Sequence, residues 1–503
     1  MKPRNMAIRL VLLSATAACL AHATAIATAR EPGTRPSTRH ADPPSPVEGA
    51  WEGEVVYGQF RRGFIVHLSR TGDRWSGAIA APVWGSVEWP LGRVAIVGTQ
   101  LVMEVGGAGA PPGVFDGAIS ERAVEGTYAW KGKSYHFSMT RDRNAQAHRP
   151  AQPQLPESPL PYETQPVSFK SGDERIAGGL VVPHSPGPHP AIVVVGGGEK
   201  TTWRVDIPGD WFPNLAGLVW TDQLARDGIV TLSTDARGVG GSTGRKEDAT
   251  LSDLADDALA AVRFLRSREE VDRDQVGIFG ISEGASVALM AAGRGENVRL
   301  LVRLSGLGIP GDEWKISQFR ELTHAMGDED RNPPDEFIAM ERELFSLCKT
   351  NATVSEIRER MKRWAAEQRK PNREAGAPGH HLPAETPEEV LLYASTPLMR
   401  SSLRYDPRPD LRRISVPVLD VHGAKDVVAV ADQSVPEIEA ALTEGQTKDA
   451  TVWTLPGLDH WMHKSETGFS LEDSMGEEVV DHHALHDVID WIGEHMPSRD
   501  RTK

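Results

Sequence analysis

Between Ser45 and about Arg143, apolar and polar residues alternate in short runs: Trp51–Tyr57, Gly63–Leu68, Trp75–Ala80, Val94–Val97, Leu101–Val105, Val114–Ile119, Val124–Trp130 and Ser134–Met139. This period of two, broken at Thr71-Gly-Asp73, Gly106-Gly107 and Lys131-Gly-Lys133, predicts an antiparallel sandwich or barrel of about seven or eight strands. Residues 144–161 carry five prolines and little to pack, and read as an extended spacer. From Tyr162 onward strands and helices alternate. Val167–Phe169 and Gly179–Val182 read as strands, and Pro190–Val195 is wholly apolar, as a strand covered on both faces must be. Gly228–Ser233, Val276–Phe279, Leu300–Leu304, Val416–Val421 and Thr451–Leu455 extend the series. Leu251–Arg266 has apolar residues at helical spacing behind a Thr250 or Ser252 cap, Ala285–Ala292 is a second helix, and Glu478–Met496 closes the chain. Such alternation predicts a doubly wound α/β sheet. It lapses between Gly308 and Pro407, where Pro334–Phe345 and Val354–Trp364 read as polar helices. We take this as a helical lid, with Trp314, Phe345 and Trp364 as candidate substrate contacts or as the lid's own core.

Composition narrows the function. With 39% hydrophobic and 25% charged residues the chain is globular, and its formal charge of −15 disfavours phosphate backbones and anionic lipid, so no nucleic-acid partner is expected. Five of the 13 tryptophans, at 51, 75, 84, 89 and 130, fall in the first β region, where filling a small barrel is the plainer role and ligand capture the other. Residues 1–29 have a basic start (Lys2, Arg4, Arg9), a short apolar run from Leu10 to Leu20 and small-x-small triplets. This is the pattern of a cleaved export signal, too short for a membrane span. A lipidated Cys19 is the second reading. Cleavage would leave Cys348 as the sole thiol, so no disulfide within the chain is expected.

The chemistry centres on Gly-x-Ser-x-Gly, present twice: around Ser242 (Gly240–Gly244) and around Ser282 (Gly280–Gly284). A nucleophile on a sharp elbow must leave a buried strand and enter a helix within a few residues. Ser282 follows Val276–Phe279 and precedes Ala285–Ala292, whereas Ser242 lies several residues past its strand in a polar stretch. Ser282 is therefore the candidate nucleophile and Ser242 a loop residue. A serine hydroxyl needs a base oriented by a carboxylate. Asp426 follows the strand Val416–Val421 and His460 follows the next one, giving the order Ser282, Asp426, His460. Asp420 and Asp432 are rival carboxylates, better read as structural, and His463 is the rival base. Candidate oxyanion donors are the backbone amides of Glu283, next to the nucleophile, and of Gly198 in Gly196-Gly-Gly-Glu199. No cofactor is implied. His482, His483 and His486 suggest a solvated helix face more than a metal site.

These motifs, together with Asp235–Gly244, Leu254–Val262, Tyr405–Leu419 and Pro456-Gly-Leu-Asp-His460, resemble the secreted bacterial α/β-hydrolases related to serine aminopeptidase and acylaminoacyl-peptidase-like esterases, often built with an N-terminal β domain. The resemblance covers most of residues 165–495. It implies an α/β-hydrolase sheet with a lid over residues 162–503, preceded by an all-β domain at 45–143, and a serine hydrolase acting on a small ester or acyl substrate. Two positions depart from the group. Gly196-Gly197 replaces the usual His-Gly, and Glu283 replaces Gln or Met, placing a carboxylate beside the oxyanion hole that would oppose anionic substrates. A carboxylesterase is the expectation. A peptidase of the aminopeptidase or acylaminoacyl type is the near alternative, and a non-catalytic binding protein on a hydrolase scaffold the distant one. Oligomeric state is not readable.

Overall fold

A computed structural model describes residues 47–141 and 154–497, apart from 58–59, 73, 81–88, 106–112, 121, 131–132, 155, 157–158, 198–214, 296–297, 326–334, 369–385, 387 and 469–479. The signal-peptide reading of residues 1–29, most of the proline-rich spacer, Trp84 and Gly198 lie outside the described residues. The chain divides into two compact units, one holding the first β region and the other most of the chain after residue 152.

The first unit is a nine-stranded antiparallel meander: β1 Gly49–Tyr57, β2 Phe60–Thr71, β3 Arg74–Ala80, β4 Trp89–Pro90, β5 Arg93–Val97, β6 Gln100–Val105, β7 Gly113–Ile119, β8 Ala123–Trp130 and β9 Lys133–Arg141. All eight runs anticipated from the alternation are strands; the extra one is the two-residue β4. The order runs β4-β3-β2-β1-β9-β8-β7-β6-β5. Its two ends meet where Leu91 N–H donates to Gly77 O on β3 and Gly92 N–H to Glu104 O on β6, so the sheet curls into a near-barrel rather than a sandwich. Inward residues fill it: Trp51, Phe64, Met103, Phe115, Phe137 and Met139 are buried, and the Phe115 and Phe137 rings meet edge to face at 5.0 Å. A methyl group on Gly117 would stand 2.7 Å from the Phe137 ring, so the small residue there makes room for the large one. Of the tryptophans, Trp51 is core and Trp75 packs partly against it.

The second unit holds an eight-stranded sheet: β10 Tyr162–Ser171, β11 Glu174–Pro183, β12 His189–Val195, β13 Val230–Thr234, β14 Val271–Ile281, β15 Leu301–Leu304, β16 Val418–Gly423 and β17 Ala450–Leu455. The order is β10-β11-β13-β12-β14-β15-β16-β17, antiparallel among the first three and parallel from β13 onward. The helices are α1 Leu215–Arg226, α2 Leu251–Arg266, α3 Glu283–Ala292, α4 Gly311–Ala325, α5 Asp335–Cys348, α6 Val354–Gln368, α7 Glu388–Ala394, α8 Pro397–Arg404, α9 Arg408–Arg413, α10 Ala431–Thr443 and α11 His482–His495. Thr250 caps α2 with Asp253 in a reciprocal capping box.

The continuous apolar strands follow from burial on both faces. Along β12, Ala191 and Val193 join a core with α2, α3 and α10, while Ile192 and Val194 join another with α1 and α11. The insertion after β15 is helical, as anticipated, and builds a third core from α4 to α8. Phe345 is buried in that core and Trp364 packs against it, so of the two roles left open by the sequence these aromatics take the insertion's own packing. Trp314 instead donates its indole N–H to Val428 O at 2.6 Å, tying α4 to the loop after β16. Cys348 is a buried free thiol, pushed up to about 11 by burial. Among the described residues no helix is long and apolar enough to cross a membrane.

Candidate active site

β14 runs straight into α3 through one residue, Ser282, whose backbone takes φ 57° and ψ −122°. A non-glycine residue held there costs on the order of 1–3 kcal/mol and persists only where its surroundings enforce it. The flanking glycines explain how. A methyl group on Gly280 would lie 2.3 Å from Gly284 O, and one on Gly284 would lie 2.1 Å from Val195 O, so only hydrogen permits this turn. Ser282 N–H donates to Leu304 O at 2.9 Å, anchoring the elbow to β15. The hydroxyl therefore stands at the sheet's C-terminal edge, over the first turn of α3, whose unpaired amides carry partial positive charge.

The sequence candidates converge here. His460 Nε2 is 2.9 Å from Ser282 Oγ, and His460 Nδ1 is 2.8 Å from Asp426 Oδ2. The other Asp426 oxygen accepts the N–H groups of Val428 and Ala429, both at 2.7 Å. With a carboxylate at Nδ1, that nitrogen carries the proton and Nε2 is left to accept from the serine. His460 and Asp426 are buried, which strengthens the contact between them, while Ser282 is half-buried at the surface end of the relay. Burial works to raise the Asp426 carboxyl, but the adjacent imidazole, its hydrogen bond and the two amides outweigh it and hold the group below the usual range. Burial likewise works to lower His460. The charge and hydrogen bond of Asp426, with Asp459 nearby, leave it above the ordinary histidine value.

Two loops bring base and carboxylate together. Lys425 N–H donates to Leu458 O at 2.8 Å, and a methyl on Gly423 would stand 2.3 Å from Asp459 O, so the chains after β16 and β17 touch at a glycine. Ser305, buried and with φ 51°, donates its hydroxyl to His460 O at 2.8 Å. Sequence reasoning missed it, because a serine after a strand carries no signal of its own. Asp459 accepts the amides of Trp461 and His463 and so shapes the turn. His463 lies beside Asp459 and shows no contact with Ser282.

The rival groups have other work. Asp420 is buried between Arg303 and His422. Burial works to raise it, but the guanidinium and the imidazole hold it low. Asp432 is an exposed residue in the first turn of α10. Ser242 donates to Asp235 O and accepts from Ala177 N–H, both at 2.9 Å, which holds a loop closed. His482, His483 and His486 are exposed on α11, and no group of three or more His, Cys, Asp or Glu able to hold a metal exists among the described residues.

Of the two candidate oxyanion donors, Glu283 is the first residue of α3, with its amide next to Ser282, while Gly198 lies outside the described residues. Its neighbour Gly197 packs on the elbow: a methyl there would stand 2.6 Å from Ser282 Cβ and 3.1 Å from Glu283 N. The Glu283 carboxylate does not stand alone as the sequence suggested, since Lys246 Nζ lies 2.6 Å from its Oε1.

The Alpha/beta hydrolase family profile matches residues 191–470, more than half of the 503-residue chain. The chain belongs to the alpha/beta hydrolase family. Within this hydrolase, a thiohydrolase of Arthrinium phaeospermum is 34% identical over 84 residues, 16% of this chain and 27% of that relative, so the chain spans about a quarter of its length. Similar solved structures include a hypothetical protein of Pseudomonas aeruginosa (18% identity, TM-score 0.42, covering 68% of this chain and 96% of that one). Est1E of Butyrivibrio proteoclasticus, with ferulic acid bound, is 17% identical with a TM-score of 0.38, over 66% and 97% of the two chains. The acylaminoacyl peptidase of Pyrococcus horikoshii is 14% identical with a TM-score of 0.41, over 87% and 62%. Membership rests on the family profile.

Proposed function

We propose that this alpha/beta hydrolase is a serine carboxylesterase working through an acyl-enzyme on Ser282. The observation that carries the reading is the unbroken relay from Ser282 Oγ through His460 to Asp426 at hydrogen-bond distances of 2.9 and 2.8 Å. Ser282 Oγ attacks the ester carbonyl carbon as its proton passes to His460 Nε2. The carbonyl oxygen becomes an oxyanion held by the Glu283 amide and the Gly198 amide. The tetrahedral species collapses, the C–O bond to the alcohol breaks, and the proton on Nε2 leaves with the alcohol. Water then loses a proton to Nε2 and attacks the acyl carbon. The second collapse returns the proton to Ser282 and releases the carboxylic acid. Asp426 keeps the imidazole in the needed tautomer and balances its charge in both steps.

An ester is favoured over a peptide with a free amino terminus because the carboxylate of Glu283, the residue after Ser282, is already paired with Lys246. The basic and apolar pattern of residues 1–29 supports export of the mature protein. The test is turnover of a short p-nitrophenyl ester and of the matching anilide. Ser282→Ala loses ester hydrolysis with the fold intact by circular dichroism, while Ser242→Ala keeps it. Equal activity in both variants refutes the assignment, and faster anilide than ester turnover moves the reading to a peptidase.

A further inference from the structure

Lys246 opens a 3-10 turn, Lys246–Asp248, that follows the Asp235–Gly244 loop. Its side chain is only 6% exposed, although the neighbouring Arg245 is 62% exposed and reaches outward to Glu247 and Asp248. A lysine is almost never buried to this extent without a partner, and the Glu283 carboxylate, 26% exposed, lies 2.6 Å from its Nζ. Glu283 occupies a sensitive position. Its amide is the oxyanion donor, so its side chain branches within a few bonds of the place where negative charge develops. A bare carboxylate there would oppose the oxyanion, repel an anionic acyl group and attract a cationic one. Lys246 cancels that charge in a site partly withdrawn from water, where the cancellation counts for more than it would at the surface.

We propose that Lys246 sets the charge specificity of this hydrolase, pairing with Glu283 so that the acyl site takes uncharged acyl esters. The proposal rests on Ser282 being the nucleophile. Lys246 is a positioning residue that acts through Glu283, and a purely packing role would alter turnover of all substrates alike. The charge preference separates the two.

The experiment uses the full chain and the ethyl esters of butanoic acid (uncharged), β-alanine (cationic) and succinic acid as its monoester (anionic), followed by the acid released. The fraction of active protein is titrated with a fluorophosphonate. The native protein is expected to prefer the butanoate. Lys246→Met is expected to shift the cation-to-anion ratio of kcat/KM upward by roughly tenfold or more, Lys246→Arg to retain the native ratio, and the Lys246→Met/Glu283→Gln double variant to return toward it. Should Lys246→Met not fold, Glu283→Gln carries the test, because removing the Glu283 charge while Lys246 stays shifts the ratio the opposite way, toward the anion. An unchanged ratio in whichever of the two variants folds overturns the proposal. Absence of fluorophosphonate labelling in the native protein overturns the hydrolysis reading beneath it, which the ratio alone does not touch.

Discussion

Glu341 lies on α5, 2% exposed inside the insertion's own core, and its Oε2 has no hydrogen-bond partner among the described residues. Burial pushes its carboxyl up to about 8, with only the Lys315 charge pulling the other way. In the unfolded chain the group returns to its ordinary value of 4.5. Between those values the native state holds a proton that the unfolded state has lost. The stabilising contribution is therefore complete below the ordinary value, shrinks as pH rises, and is gone once the native carboxyl ionises. Each pH unit across that window is worth about 1.4 kcal/mol, a loss of ~5 kcal/mol over the whole interval. Glu341→Gln keeps the shape and removes the ionisation, so its stability should lack this decline. Urea unfolding followed by circular dichroism at about pH 5, 6.5 and 8 should show native stability falling steadily relative to the Gln variant. Parallel pH dependence in the two proteins would refute the reasoning, since it would mean that Glu341 ionises freely in the folded chain.

Ser305→Ala removes the hydroxyl that holds His460 O. We expect kcat to fall roughly tenfold with KM little changed, read from steady-state kinetics on a neutral ester. Gly197→Ala drives a methyl group into Ser282 Cβ and Ile281 O, displacing the turn after β12 from the Ser282 elbow. kcat should drop by roughly 10²–10³ while circular dichroism shows an intact fold. Because His460 must be neutral to accept the serine proton, and Asp426 holds it above the ordinary histidine value, kcat/KM should rise with pH through a limb above 6.5. Asp426→Asn should move that limb downward and cut kcat by roughly 10³–10⁴.

Much of this architecture is legible in the sequence where one physical constraint dominates. Pro190–Val195 is apolar without a break because both its faces are covered, and Ser282 is distinguished from Ser242 by the strand before it and the helix after it. Where constraints compete, the pattern fails. β14 begins at Val271, five residues before the apolar run, because Asp272 to Gln275 stand largely out of the core and give no strand signal. Helix α10 carries Pro436 within it, and neither it nor α1 stands out as a helix in the sequence. The aromatic residues of the insertion look the same in sequence whether they face a substrate or one another. The Lys246–Glu283 pair joins residues 37 positions apart, and no periodicity links them.

The most direct test of the central claim is the site of reaction with a fluorophosphonate, a reagent that captures a serine only when its hydroxyl is activated. The account predicts a single phosphonyl adduct on the peptide bearing Ser282, formed at near one equivalent and lost in His460→Ala, in which Ser282 remains but its base does not. An adduct on Ser242 or elsewhere, or undiminished labelling of Ser282 in His460→Ala, would contradict it.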